Sequence, residues 1–361
     1  MWKAARMAQE DAAAPAPAPM LDKKKSIILG VIGLVIIVFI FYKIFESVNF
    51  SQVWESLQSM GALGFAIVVV AVLIYLAAYG LPFMAAAPGL RFWRSEQINQ
   101  AAFAISNGVP AGGAVGLAVQ FGMLTSFGIS ATASTAAITA VGIWSTFVSL
   151  GFPILGVVAL SLAGGQNSYV GLGLLGLGLL IASVVVFVLI MRSEKLAGAI
   201  GRLGNRILNP FRGRIKALAK VDCEGPLLKF RADMYGLLKA RWAAITGAQI
   251  LVSITQFLIL YTALRGIQGW DSAGTSILAA FAAFGISQIM LMVPITPGGV
   301  GTVDLLMITI LVSLGADKAD ATAADVVWRA VSYLPHMVLG IVALLTWYRR
   351  AGQTFAKATS A

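Results

Sequence analysis

Long apolar runs, separated by short polar stretches, dominate this chain and predict membrane-crossing helices rather than the amphipathic elements of a soluble globule. Runs over residues 61–83, 132–160, 168–191, 242–264 and 325–348 each suffice to cross a hydrocarbon core, which takes about 20 helical residues. Residues 26–42 form another such run behind Lys23, Lys24 and Lys25. No small-residue cleavage site follows it, so it reads as an uncleaved first span. Residues 1–22 carry an Ala/Pro stretch without apolar periodicity and predict a disordered cytoplasmic tail.

Composition strengthens this picture. Of the 361 residues 59% are hydrophobic and 11% charged, with a mean hydropathy of +0.87. An ordinary soluble domain is about a quarter charged. The single cysteine, Cys223, excludes an internal disulfide, and one histidine beside one cysteine excludes a His/Cys metal cluster of the usual spacing. No cofactor is expected.

Charge then orients the chain. Residues 97–191 contain no Asp, Glu, Lys, Arg or His, whereas residues 192–241 hold twelve Lys/Arg against four acids, a net +8 of the chain's +11. Positive loops stay in the cytoplasm, which places both termini inside and residues 192–241 in the cytoplasm. The loops expected outside, 43–60, 163–167, 265–275 and 315–325, carry more acids than bases, among them Asp317, Asp320 and Asp325. Leucines interleaved with the cations of 192–241 predict amphipathic helices lying on anionic inner-leaflet lipids, at about 1 kcal/mol per nearby Lys or Arg. Nucleic acid is not needed to account for that charge. Trp54, Trp93, Trp242, Trp270, Trp328 and Trp347 fall near the ends of expected spans, as an interfacial aromatic belt would place them.

Two apolar segments are interrupted by proline and paired glycines: residues 98–128 at Val109-Pro110-Ala111-Gly112-Gly113, and residues 276–314 at Pro294-Ile295-Thr296-Pro297-Gly298-Gly299. Arms of about twelve to fifteen residues are too short to span upright, so each segment reads as a re-entrant hairpin. The freed backbone groups are tolerable only where they pack in protein or line a wet cavity. The loop assignment makes the two hairpins enter from opposite faces. Their sequences also echo each other: Phe103 to Ser106 matches Phe284 to Ser287, and Pro110 to Gly116 matches Pro297 to Gly301. An inverted-topology repeat follows, each half being a span, a hairpin and a span. Domains are then 1–22, a tail; 23–191, the first half; 192–241, the basic loop; 242–350, the second half; and 351–361, a second tail. Paired interruptions of this kind point to a transport site near the midplane, although glycines also serve close helix packing.

Away from span ends, the ionisable groups besides tyrosines are Asp304, Arg329 and His336. Each is costly in lipid and should find protein or water. Arg329, Ser332, Tyr333 and His336 recur at i, i+3, i+4 and i+7, a polar stripe on the last span. Asp304 and Arg329 can form a structural ion pair; alternatively, Arg329 and hairpin amides hold an anion while Asp304 orients the arginine. His336 reads either as a proton relay or as a hydrogen-bonded packing residue.

Residues 294–304, PITPGGVGTVD, resemble the Pro-Gly-Gly-x-Gly-x-x-acid signature of the lysylphosphatidylglycerol synthase/flippase transmembrane family. The resemblance covers about residues 26–350. Val109 to Gly113 resembles that family's upstream Pro/Gly segment, and Arg329, Tyr333-Leu334-Pro335 and Gly340 resemble its closing motif. Asp304 stands where the family usually has glutamate, and the stretch after the first Pro/Gly motif lacks the charges often found there. No soluble domain for attaching an amino acid to a lipid is seen, so the resemblance implies a lipid-translocating module rather than a synthase.

The expectation is therefore an all-α polytopic membrane protein of about six full spans plus two re-entrant hairpins. It would act as a flippase-like transporter, not an enzyme, for a lipid with an anionic or zwitterionic headgroup in the plasma membrane. Pro110, Gly112, Gly113, Pro297, Gly298, Gly299, Gly301, Asp304, Arg329, Tyr333 and His336 are the expected substrate-binding residues. Membrane lipids are the expected partners, and a homo-oligomer is left open. A proton- or ion-coupled small-solute transporter is the alternative. A lipid-modifying transferase ranks lower, because no Asp-x-Asp pair or nucleophile with a neighbouring base is present.

Overall fold

In a computed structural model, the structure describes residues 50–108, 112–164, 169–212, 222, 224–270, 274–292, 299 and 301–360. The expected N-terminal tail, the span at 26–42, and Pro110, Cys223, Pro297 and Gly298 lie outside the described residues. The described elements are all helical: α1 (Phe50–Ser59), α2 (Gly61–Tyr79), α3 (Leu81–Ala86), α4 (Phe92–Gly108), α5 (Gly112–Ser126), α6 (Ala131–Leu162), α7 (Val170–Arg192), α8 (Glu194–Arg212), α9 (Glu224–Gln268), α10 (Ile277–Ser287), a 3₁₀ turn (Gln288–Met292), α11 (Thr302–Ser313) and α12 (Lys318–Ser360).

Among the described residues, five stretches are long and apolar enough to cross a membrane: Gly61–Ala86, Ala131–Leu162, Val170–Arg192, Lys239–Gln268 and Lys318–Arg349. They coincide with the five expected from the sequence over these residues. Their outward surface is apolar, as lipid requires. Leu174, Leu175, Ile181 and Val185 on α7 are all exposed, and only 11% of that helix's most apolar window is buried. The protein is an all-α, multi-pass integral membrane protein.

The first described crossing is broken between α2 and α3, where Pro82 cannot donate to the preceding turn. Side chains of α4 serve carbonyls at the break. Asn99 Nδ2 donates to the Tyr79 carbonyl at 2.7 Å, and Ser95 Oγ donates to the Gly80 carbonyl. A broken backbone is thus satisfied by a neighbouring helix instead of water, the condition for tolerating a break at membrane depth.

Helices α4 and α5 form one hairpin, and α10, its 3₁₀ extension and α11 the second. Glycine sets how closely their arms approach. A Cβ on Gly112 would overlap the Ile105 carbonyl, and one on Gly116 would overlap the Ser106 hydroxyl. Each hairpin's first arm also packs on a long span, α4 on α12 and α10 on α6. At the first crossing a Cβ on Gly340 would overlap the Gln100 carbonyl. At the second, one on Gly285 would lie 2.7 Å from the Phe152 carbonyl oxygen, and one on Gly156 would lie 2.7 Å from the Ile286 nitrogen. Small residues let backbones touch where lipid offers no hydrophobic drive to associate. Gly285→Leu should therefore cost about 1–3 kcal/mol through overpacking. Gly171→Leu, on the lipid face with open space around it, should be silent; thermal unfolding of the purified variants in detergent compares them.

Two expectations need correcting. Trp328 is 2% exposed and packs in the core against Phe284, with its indole donating to the Gln256 carbonyl at 3.2 Å. It does not belong to an interfacial belt, because α12 starts at Lys318 and puts ten residues of helix ahead of it. For the same reason Asp325 is no loop acid but is 5% exposed within α12. After the amphipathic α8, a single helix runs from Glu224 through the next crossing to Gln268, joined to α8 by the Arg202–Glu224 ion pair.

Candidate functional site

Between the two hairpins lies a cavity of about 350 Å³. Residues of α2–α4, α5, α6, α9 and α10 with its extension surround it. Asn99, Gln120, Ser145, Ser149, Gln249, Ser253, Gln256 and Gln288 supply its amides and hydroxyls, while Tyr75, Tyr79, Phe83, Phe103, Phe152 and Phe284 supply aromatic surface. None of the lining residues is charged.

Two helices carry most of the polar wall by simple periodicity. Ser145, Ser149 and Phe152 on α6, and Gln249, Ser253 and Gln256 on α9, recur at i, i+4 and i+7, which puts each set on one face. Gln249 donates to the Val141 carbonyl at 3.1 Å and ties the two walls together. Asn99, which donates to the Tyr79 carbonyl, also lines the space. Such groups in an apolar surround are costly unless they meet a partner, and a polar guest supplies one.

The expected site residues fall elsewhere. Gly112 and Gly113 sit at the turn between α4 and α5. Gly299 and Gly301 have φ of 68° and 86°, left-handed conformations that lead into α11. Asp304 closes that entry: its Oδ2 accepts from the Gly301 amide at 2.6 Å, a capping interaction at a helix N-terminus. Its Oδ1 accepts from Arg329 Nε at 2.8 Å and also pairs with Nη2. The guanidinium stacks 4.8 Å from the Trp328 ring centroid and 5.0 Å from that of Tyr333. Asp325, one turn before Arg329, lies beside this pair, with its Oδ1 buried and unpaired. Hairpin and last span are thus joined by a carboxylate–guanidinium–carboxylate group, and none of these residues lines the cavity.

His336, fully buried, lies in a cage of Tyr75, Tyr79 and Phe103 at ring-centroid distances of 5.0, 4.4 and 4.9 Å. Its Nδ1 meets Gln100 Oε1 at 2.6 Å, and Gln100 Nε2 donates to Glu96 Oε2 at 3.0 Å. Glu96, joined to His336 through Gln100, was not singled out by the sequence reading, and Asp325, beside the Asp304–Arg329 pair, was placed in a loop. Extending the 329–336 stripe back one turn reaches Asp325, and Glu96 is one turn before Gln100. The cavity amides were missed because uncharged residues in an apolar helix stand out only by their periodicity.

The fold and cavity define a multi-pass integral membrane protein with a buried, uncharged polar chamber among its helices. The sequence matches the family described as lysylphosphatidylglycerol synthase TM region over residues 30–340. The chain belongs to that family. It is also similar to a UPF0104 membrane protein of Methanothermobacter thermautotrophicus, 27% identical over 180 residues, which is 46% of this chain. The match spans 51% of that relative, about half its length.

Proposed function

We propose that the protein is a flippase-like transporter whose central cavity receives the headgroup of a membrane lipid, without chemistry on the lipid itself. The uncharged polar cavity between the hairpins carries this reading. An apolar cleft on the other face of α6, lined by Ile143, Phe147, Val186, Phe187, Leu227 and Phe230, offers a surface for acyl chains. The reciprocal packing of each hairpin arm on the opposite half supports two halves acting as an inverted repeat. The +8 charge of residues 192–241 supports a cytoplasmic, inner-leaflet position for that segment and a plasma-membrane orientation with both termini inside.

Of the anionic and zwitterionic headgroups, the zwitterionic suits this lining better. A phosphate can accept from glutamine amides and serine hydroxyls, and an ammonium can rest against Tyr79 and Phe103 faces. An anion with no compensating charge would keep its full desolvation penalty, since Arg329 is engaged by Asp304 outside the lining.

The test is lipid exchange in proteoliposomes. Head-labelled phosphatidylethanolamine should cross faster than head-labelled phosphatidylglycerol, and both faster than in protein-free vesicles. Exchange at the protein-free rate, with saturable uptake of a water-soluble solute, would instead favour the solute-transport alternative.

A further inference from the structure

We propose that Glu96, Gln100 and His336 form a partly buried proton-binding site whose charge state is coupled to headgroup occupancy of the adjacent cavity, an inference that rests on the zwitterionic-lipid reading above. Gln100 is the bridge. Its amide nitrogen donates to Glu96 Oε2 at 3.0 Å and its amide oxygen lies 2.6 Å from His336 Nδ1. An amide oxygen only accepts, so Nδ1 carries the imidazole proton and Nε2 of the neutral ring is an acceptor. Both ends of this chain are unfinished: His336 Nε2 is buried with no hydrogen-bond partner, and Glu96 Oε1 is buried against the Gly80 backbone without a well-formed hydrogen bond. Unsatisfied buried acceptors are rare in native proteins, and each costs about 1–3 kcal/mol.

The backbone makes room for this chain. A Cβ on Gly80 would overlap Glu96 Oε1, and one on Gly340 would overlap the Gln100 carbonyl. The carboxylate also lacks a counter-ion. Glu96 pairs with no cation among the described residues, and Arg94, two residues away, is engaged by the carbonyl and ring of Phe127. The other titratable groups facing the site are Tyr75 and Tyr79 from α2 and Tyr333 from α12. None of these brings positive charge.

One proton taken from water onto Oε1 forms an O–H bond and turns the carboxylate into a neutral acid; its release restores the negative charge. The cavity is placed to sense that change. Tyr75, Tyr79 and Phe103 pack on His336 on one side and line the cavity on the other, and Asn99 of the same helix lines it too. In this low-dielectric wall a deprotonated Glu96 draws the ammonium of a zwitterionic headgroup, and protonation removes that pull. Linkage makes the effect reciprocal, so headgroup binding expels the proton by the same factor. Glu96 and Gln100 stand on the first hairpin and His336 on the last span, so the site also joins the two halves.

Difference infrared spectroscopy of the purified full chain across pH reads the site directly. A carboxylic-acid band that titrates in the wild type should be missing in Glu96→Gln. Binding of short-chain phosphatidylethanolamine should weaken roughly tenfold, within the usual range of coupling, as pH falls through that titration, and should become pH-independent in Glu96→Gln. A wild-type band and pH dependence in Glu96→Gln would overturn the proposal. A titrating Glu96 band without any phosphatidylethanolamine binding would leave the proton site standing and remove the zwitterionic-lipid reading. Should Glu96→Gln fail to fold, Gln100→Leu cuts the bridge while keeping the carboxyl group: a shifted band midpoint supports the site, and an unchanged midpoint with unchanged binding overturns it.

Discussion

Arg329→Ala should lower the stability of the folded protein by about 3–5 kcal/mol, the cost of removing one partner from a buried ion pair. Asp304 accepts two nitrogens of that guanidinium while capping α11, and Asp325 lies alongside with an oxygen already unpaired. Without the arginine, two neighbouring carboxylates face each other with 15% or less of either exposed. The stacked faces of Trp328 and Tyr333 lose their cover as well. Asp304→Asn should be milder, since an amide oxygen can still cap the Gly301 amide. Joining Asp304→Asn to Arg329→Gln should recover part of the loss, because no charge then stands alone. Thermal unfolding followed by tryptophan fluorescence in detergent orders the variants. Wild-type stability in Arg329→Ala, with lipid exchange abolished, would instead make Arg329 a ligand for the substrate.

The largest functional effect is expected in the cavity, from Gln256→Leu combined with Gln288→Leu. Both amides line the space between the hairpins, one on α9 and one just beyond α10, and leucine nearly preserves their volume. The change removes donors and acceptors without emptying the wall, so packing should survive. A headgroup entering that space would shed water and find fewer partners, at about 1–3 kcal/mol for each group left unsatisfied. Two such losses correspond to at least a tenfold drop in phosphatidylethanolamine exchange, with unfolding temperature held near wild type. Unchanged exchange in the double variant would place the lipid path outside the cavity.

Much of this protein was decided locally. The five described crossings appear in the sequence because spanning lipid demands long apolar helices, and nothing in the tertiary structure can relax that demand. The break of the second hairpin was equally plain, since Gly299 and Gly301 favour a left-handed backbone wherever they stand. The Asp304–Arg329 pair was foreseeable from the cost of a lone charge in lipid.

What the sequence could not supply was which polar groups share a space. Gln120 stands on α5, Gln249 and Gln256 on α9 and Gln288 just beyond α10, and only the packing of these elements around one another turns them toward one cavity. The joining of Glu96 to His336 through Gln100 spans residues 236 apart at its longer link. Helix formation is set by short-range backbone chemistry and by the solvent each face meets. The meeting of distant side chains is set by where backbones can touch, and at these crossings that rests on the absence of a side chain at Gly156, Gly285 and Gly340.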